Sequence, residues 1–369
     1  MNILLLNWRD PRNPKSGGAE YVTHEHAKGW VRLGDTVTWF AARYPGAARE
    51  EWLDGVHIIR RGSAGSVFFY APVYYFLHRK NIDVIVDEAH GIPFFAALYA
   101  RVPVLLFLHE VAGSIWGVMY ASWISRIGSL LERLFLFIYR KRPIWTDAES
   151  TVKELVDLGV PRDMCRAIPC PTAAIPKSQK PKKNTRFTCI FVGRLVRMKR
   201  IEDLLTAFAD ICRTRPEATL LIVGDGDPSY VGSLKKMAVS LGVADVVTWC
   251  GRVTEKKKYS LLARSHLLLH TSVKEGWGLV VLEAGSQWTP SVVYKVNGLV
   301  DVVKDGKTGR IVSTCDPHDL ATMALSLYAD SNAYIKMQKE AYVWSNSFRW
   351  NDVILESHAL LVGLYEAHR

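Results

Sequence analysis

Short apolar runs separated by helix-length stretches recur twice along this chain, and that alternation restricts the possible folds more than any other feature. In the first half the runs fall at 3–7, 36–41, 84–87, 104–108 and 144–146. In the second half they are FTCIFVG from Phe187, TLLIVG from Thr219, VVTWCG from Val246 and HLLLH from His266. Strands that are apolar throughout are buried on both faces, and a helix between each pair of strands makes the sheet parallel and doubly wound. Between the halves lies PTAAIPKSQKPKKNT, residues 171–185. Its proline, lysine and small residues cannot build a core, so it reads as a linker. At 369 residues the chain is also too long for one ordinary core. The expected organisation is a Rossmann-like domain at 1–170, the linker at 171–185, a second Rossmann-like domain at 186–348, and a terminal segment at 349–369. That last segment has the apolar spacing of one amphipathic helix, which would cross back to the first domain. The two α/β domains would face each other across a cleft, with ligand loops at the carboxyl ends of the strands.

Composition narrows the class further. With 49% hydrophobic residues, 11% aromatics and no low-complexity tract, the chain is that of a globular α/β protein. Its six cysteines are scattered without CxxC or zinc-type spacing, and they read as reduced thiols of a cytoplasmic protein. Met1 leads straight into NILLLN, so no signal peptide is expected, and no apolar run reaches the length of a membrane span. The net charge of +11 calls for an anionic partner: nucleic acid, an anionic membrane surface or a phosphorylated substrate. Cations cluster in RKRPIW (140–145), KSQKPKK (177–183) and RMKR (197–200), outside any zinc-finger, RNA-recognition or basic-zipper pattern. Nucleic acid is the weakest of the three partners.

Several glycine-rich turns follow expected strands. In EGWGLVVLE, Glu275 and Glu283 bracket a turn that feeds a helix start, where backbone N–H groups point outward and favour phosphate. Carboxylates accept hydrogen bonds from hydroxyls, and sugar and ribose are dense in hydroxyls. Taken alone, the same nine residues equally describe a surface loop with two ordinary glutamates. Gly17 and Gly18 follow the first strand and precede a helix near Ala19, which permits close backbone approach to an anion. GRLVRMKR carries Arg194 and Lys199 five residues apart across a strand-to-helix loop, a guanidinium fork and an ammonium able to neutralise a diphosphate together. In GDGDP, Asp225 and Asp227 look like a carboxylate pair for a metal, but ordinary turn chemistry is the favoured reading. Glu149 in TDAEST heads an expected helix and reads as capping chemistry.

GGAE, GRLVRMK, GDG and EGWGLVVLE in that order resemble glycosyltransferase family 4, the retaining enzymes with the GT-B fold. The resemblance covers essentially the whole chain, and TPSVV (289–293), NGLVD (297–301) and DGKTGRIV (305–312) extend it. It implies an acceptor-binding first domain, a donor-binding second domain, and no metal or other cofactor beyond a UDP- or GDP-sugar as donor substrate. Position by position, it implies that Arg194 and Lys199 hold the donor diphosphate, approached by Gly17 and Gly18. Glu275 would take the hydroxyls of the transferred sugar, with backbone N–H groups near Gly278, Leu279 and Val280. Glu283 would take the ribose, and Arg252 and Val253 would read the base. His109 would stand beside the transferred sugar, so His109, Glu275, Arg194 and Lys199 form the implied catalytic set. Transfer would be a front-side displacement without a protein nucleophile, and removing Arg194 or Lys199 should damage turnover far more than folding. Three positions depart from the family pattern: Arg200 and Trp288 where glycine is usual, and Asp301 in place of glutamate. They could reshape the donor pocket. A GT-B epimerase or phosphorylase, or a sugar-nucleotide-binding protein without catalysis, remain as alternatives.

The expected acceptor is a sugar, a lipid-linked sugar or a small molecule. The apolar, aromatic and basic segments 66–80 and 116–145 suit interfacial helices on an anionic membrane, and equally suit buried helices with basic ends. The first reading would make the chain peripheral at the inner face of the membrane, in polysaccharide or glycolipid assembly.

Overall fold

The computed structural model describes residues 1–119, 121–173 and 179–369. The middle of the linker, with Lys177 of its basic cluster, and Tyr120 lie outside the described residues. The chain divides into two compact units, one of Met1–Gly113, Ser122–Cys170 and Arg349–Arg369, the other of Ser114–Ala121 and Pro171–Phe348.

The first unit is built on eight strands: β1 (Asn2–Leu6), β2 (Thr36–Ala41), β3 (Glu50–Leu53), β4 (Val56–Arg60), β5 (Val84–Ala89), β6 (Val104–Leu108), β7 (Ile144–Thr146) and β8 (Cys165–Ala167). They lie in the order β3-β4-β2-β1-β5-β6-β7-β8, parallel except for the antiparallel pair β3–β4. Its helices are α1 (Gly18–Arg32), α2 (Val67–His78), α3 (Ala96–Tyr99), α5 (Ser122–Tyr139), α6 (Glu149–Asp157) and the terminal α14 (Trp350–His368), while α4 (Ile115–Met119) belongs to the second unit. Because side chains alternate along a strand, Leu4 and Leu6 of β1 face one layer of helices and Leu5 faces the other. The first layer joins Leu4, Leu6 and Leu106 to Tyr75 of α2 and Phe135 and Tyr139 of α5.

The other layer holds α1 and α14 together. His26 packs edge-on to Trp145 and Trp350, at 4.6 and 5.6 Å between ring centroids. The buried Ser357 hydroxyl accepts from the Trp30 indole N–H (3.0 Å), bonds His26 Nδ1 (2.9 Å) and donates to the Ile354 carbonyl (3.0 Å). Burial pushes the His26 pKa down to about 3, helped by the charge of His109, so its ring is neutral there and Nδ1–H is the donor. Ser357→Ala would strand two buried N–H groups at once. A loss of about 2 kcal/mol is expected in denaturant melts, whereas Leu355→Ala, on the exposed side of α14, should change little.

The second unit has β9 (Thr188–Val192), β10 (Thr219–Val223), β11 (Val247–Gly251), β12 (Leu267–His270), β13 (Ser291–Tyr294) and β14 (Gly309–Val312), all parallel in the order β11-β10-β9-β12-β13-β14. Its remaining helices are α7 (Ile201–Thr214), α8 (Pro228–Ser240), α9 (Glu255–Arg264), α10 (Leu279–Ser286), α11 (Leu299–Val302), α12 (Pro317–Ala329) and α13 (Ser331–Ser345).

Among the described residues, nine strands sit where the apolar runs place them, and five more were not expected. The β3–β4 hairpin turns on Asp54 and Gly55, both with positive φ (51° and 83°), the Asp-Gly signature of a two-residue turn. β3 reads EEWL, too polar to register as a strand, because it is an edge strand with one neighbour. Glu149 begins α6 but caps nothing: Ala148 is the N-cap, and the Glu149 carboxylate pairs with Arg162 at 3.1 Å. The capping reading of that residue is therefore wrong.

Candidate active site

In the second unit the direction of strand addition reverses between β9 and β12, and the carboxyl ends of those two neighbours are where a doubly wound sheet opens to ligand. Arg194 and Lys199 follow β9; Glu275 and Gly278 follow β12. The loop carrying Arg194 is buttressed by the loop after β10. Gly193 N donates to Val223 O (3.0 Å) and Leu195 N to Asp225 O (2.8 Å). Gly224 has φ +142°, and a Cβ there would lie 1.8 Å from the Gly193 carbonyl oxygen. The two aspartates serve this turn: Asp225 accepts from Gly226 N (2.8 Å), and Asp227 caps α8 by accepting from Ser229 N and Tyr230 N (3.0 and 3.2 Å). Arg194 itself is exposed at the rim.

Lys199 is not a free surface cation. Thr271 Oγ1 donates to the carbonyls of Lys199 and Arg200 (2.8 and 3.0 Å), and Val273 N donates to Met198 O (2.8 Å), stitching the β12 loop to the β9 loop. The ammonium of Lys199 then pairs with Glu275 Oε1. His270 Nε2 reaches the same oxygen at 2.7 Å and Ser272 Oγ at 2.6 Å. Burial alone would raise the Glu275 pKa, but the Lys199 charge and the His270 hydrogen bond outweigh it and hold the carboxyl far below the usual carboxylate range. All three donors fall on the one oxygen, Oε1. The backbone is fixed as well: Glu275 N donates to Asn297 O (3.2 Å), and Gly298 (φ +76°) lies so close that a Cβ would come within 2.4 Å of the Glu275 carbonyl oxygen.

Gly278, with φ +95°, is the N-cap of α10, and with no side chain there to cap the helix its first-turn N–H groups at Leu279 and Val280 face the site. One turn on, Glu283 accepts from Lys258 Nζ at 2.7 Å. Burial pushes the Glu283 carboxyl up while Lys258 pulls it down. Arg252 and Val253 follow β11, three strands from β12, so they stand roughly 14 Å along the same sheet edge. The structure thus brings Arg194, Lys199, Glu275 and Gly278 to adjacent strand ends and leaves Arg252 and Val253 further out.

In the first unit His109 directly follows β6 and is clamped on both sides. Nδ1 bonds Asp147 Oδ2 at 2.6 Å and Nε2 bonds Glu88 Oε1 at 3.1 Å. Burial opposes the charged ring, but Asp147 and then Glu88 raise its pKa well above the ordinary value, so it is an imidazolium whose two N–H groups are both engaged. Gly17 is the N-cap of α1, and its N–H donates to Glu20 Oε2 at 2.7 Å. Glu20 is buried and pairs with Arg9 Nε at 2.7 Å. The fold does not demand glycine at Gly17: its φ of −143° suits any residue, and nothing but Glu20, 3.9 Å away, would meet a Cβ.

Residues 16–173 match the family described as Glycosyltransferase Family 4, and residues 174–344 match Glycosyl transferases group 1. The chain belongs to glycosyltransferase family 4. It is 32% identical over 178 residues to D-inositol 3-phosphate glycosyltransferase from Rhodococcus jostii, which covers 46% of this chain and 39% of that protein. The family 4 chain therefore aligns with about two fifths of the length of the curated relatives it matches. Sucrose-phosphate synthase from Thermosynechococcus elongatus superimposes with a TM-score of 0.82 at 19% identity, over 99% of both chains. Anabaena Alr3699/HepE in complex with UDP-glucose does so with a TM-score of 0.73 at 19% identity, over 97% of this chain and 99% of that one. At such identities the likeness is one of fold, and that fold is GT-B, two Rossmann-like units in one chain.

The departures from the family 4 pattern have local explanations. Arg200 adopts φ +47°, the left-handed conformation that explains a glycine preference. It is held there by an ion pair to Asp203 (2.5 Å) and by stacking of its guanidinium over Tyr294 (5.2 Å). Trp288 also has positive φ (60°), and stacks on Tyr342 of α13 at 4.5 Å. It lies past the C-terminus of α10, the end away from Gly278. Asp301 sits in the first turn of α11, where a carboxylate is favoured. The motifs missed Lys258, His270 and Ser272 in the second unit, and Glu20, Glu88 and Asp147 in the first. Glu20 and Asp147 stood inside the quoted GGAE and TDAEST segments, and their burial was the only missing signal.

Proposed function

We propose that this family 4 chain is a retaining glycosyltransferase that moves a sugar from a UDP- or GDP-sugar to a lipid-linked acceptor. The observation that carries this reading is the convergence of Lys199, His270 and Ser272 on one oxygen of Glu275 at the β9/β12 switch point. A fixed carboxylate beside a fixed ammonium suits a ligand with hydroxyls next to a diphosphate. Lys199, Arg194 and the first-turn amides of α10 would neutralise the diphosphate without a divalent metal. The Anabaena neighbour solved with UDP-glucose supports a UDP-linked donor.

In the transfer step, the bond from the anomeric carbon to the diphosphate oxygen breaks, and its electron pair leaves on that oxygen. The acceptor oxygen bonds the same carbon from the same face, and its proton passes to the departing diphosphate. The residues contribute position and charge: Glu275 holds the sugar, Glu283 the ribose through the oxygen that Lys258 leaves, and Arg252 with Val253 the base. Arg194 and Lys199 stabilise the charge that grows on the leaving group. His109, with both N–H groups engaged, acts as a fixed positive charge rather than as a ring donor. Glycine at Gly17 and Gly18 leaves room for ligand in a turn whose own conformation needs no glycine. The chain works in the cytoplasm, peripheral at the inner face of the membrane; among the described residues no helix is long and apolar enough to cross it.

Nucleotide release from a panel of UDP-, GDP- and ADP-sugars, with and without a chelator, tests the reading. Arg194→Ala is expected to cut turnover about a hundredfold with an unchanged melting temperature, since the side chain is exposed. A donor that raises the melting temperature but yields no nucleotide would identify a sugar-nucleotide-binding protein instead.

A further inference from the structure

We infer that α2, α3 and α5 together form a surface that docks on an anionic lipid leaflet. This deepens, and rests on, the reading of the chain as a peripheral membrane protein. Of the large apolar side chains exposed among the described residues, five lie on α2, one on α3 and six on α5, more than on all other elements combined. On α5, Gly128, Phe135, Leu136 and Tyr139 are buried. Trp123, Ile127, Leu130, Leu134 and Phe137 recur at helical spacing on the opposite side, all half or more exposed, with Leu130 at 68%. α2 repeats the arrangement. Val67, Ala71 and Tyr75 are buried, while Phe69, Val73, Phe76 and Leu77 point the other way, Phe69 at 79% exposure. A helix that is apolar on both sides has a second apolar partner. α3 links the two: Tyr99 packs against Tyr75 and Phe76 of α2, Ala97 N bonds the Tyr139 hydroxyl of α5, and Leu98 stands exposed.

Charge selects the partner. Arg126 and Arg133 on α5 and Arg140 directly after it recur every seven residues, in a row beside the apolar stripe, and all three are exposed. The Arg140 guanidinium lies 4.0 Å over the Phe137 ring, next to the apolar surface. Arg79 and Lys80 follow α2, and Arg101 follows α3. α2 has no acidic residue, and the one carboxylate on α5, Glu132, is buried and accepts from Ala112 N and Gly113 N (2.6 and 2.8 Å). A second copy of this face would bring like charges together. An anionic leaflet instead satisfies both features, taking the apolar stripe into the acyl boundary and the arginines among the headgroups.

Flotation of the full chain with phosphatidylcholine vesicles, and with phosphatidylcholine–phosphatidylglycerol vesicles, tests this. The chain should float with the anionic vesicles at low salt and be released as salt rises. The triple variant R126Q/R133Q/R140Q should lower that partition roughly a hundredfold, and L130S/F137S should abolish it, with unaltered thermal melts because these side chains are exposed. Absence of flotation with anionic vesicles, equal binding by the triple variant, or a dimer in sedimentation that L130S/F137S disperses would each overturn the assignment. Nucleotide release from the donor, scored on the same preparations, reports on the transfer reading separately.

Discussion

Glu275→Gln is expected to lower turnover by about a thousandfold, and to cost about 3 kcal/mol of stability in the second unit. Lys199 and Glu275 have side chains only 13% and 14% exposed, so removing one charge leaves the other in poorly solvated surroundings. The amide can keep its oxygen toward the three donors, but its other head is then a donor where the carboxylate had an acceptor. The same reasoning changes what Lys199→Ala should do. Sequence alone suggested a loss of turnover with folding spared, but Lys199 is the counter-charge of Glu275, so its removal should damage both. Arg194→Ala, at an exposed side chain, remains the clean probe of the proposed diphosphate binding. The stability gap between the wild type and Glu275→Gln should depend on pH in a defined direction. The Glu275 pKa is depressed in the folded state, so its contribution is complete above the unfolded value near 4.3 and fades as pH falls toward the folded value. Denaturant melts at pH 7, 4 and 3 should find the gap widest at pH 7. A constant gap would mean that Glu275 is not held as an ion.

Gly224→Ala is the second large effect. An added Cβ would sit 1.8 Å from the Gly193 carbonyl oxygen at φ +142°, a conformation that L side chains rarely adopt. The clash is with backbone, so no rotamer change relieves it, and the loss should be about 4 kcal/mol or a failure to accumulate folded protein. Because Gly193 precedes Arg194, any protein that does fold should bind donor more weakly. Gly232→Ala supplies the control. It lies within α8 with nothing inside 4 Å of the added methyl, and should stabilise by about 0.5 to 1 kcal/mol. Similar midpoints for the two variants would show that the GDG loop does not buttress the Arg194 loop.

The elements legible in the sequence were those fixed by local chemistry. β2, β6 and β7 occupy the expected residues because a run such as VLLFL, buried on both faces, has few other uses in a chain of this composition. β3 and β8 were not legible, since edge strands are half solvated and read as polar or mixed. The β3–β4 turn was nevertheless visible as LDGV, had the Asp-Gly pair been weighed against the polarity of EEWL. Site residues divide in the same way. Gly278 and Glu283 share a helix start with Glu275 and could be read as one motif. Lys258 lies 25 residues before Glu283, and Glu88 lies 21 before His109, and nothing in the intervening sequence links them.

The sequence by itself determined two parallel α/β sheets and put cations and carboxylates in the loops at their carboxyl ends, because strand burial, helix starts and turn glycines are properties of a few consecutive residues. Only the tertiary structure decided which charges meet. The order β9-β12 sets Lys199 beside Glu275 across 76 residues, and β5-β6-β7 sets Glu88 and Asp147 on either side of His109. Charge state and donor availability follow from those encounters, because both depend on desolvation and on distances of a few ångströms that no local spacing encodes. The same holds for the outer faces of α2 and α5, whose apolar residues read equally as core until the sheet had taken one side and left the other exposed.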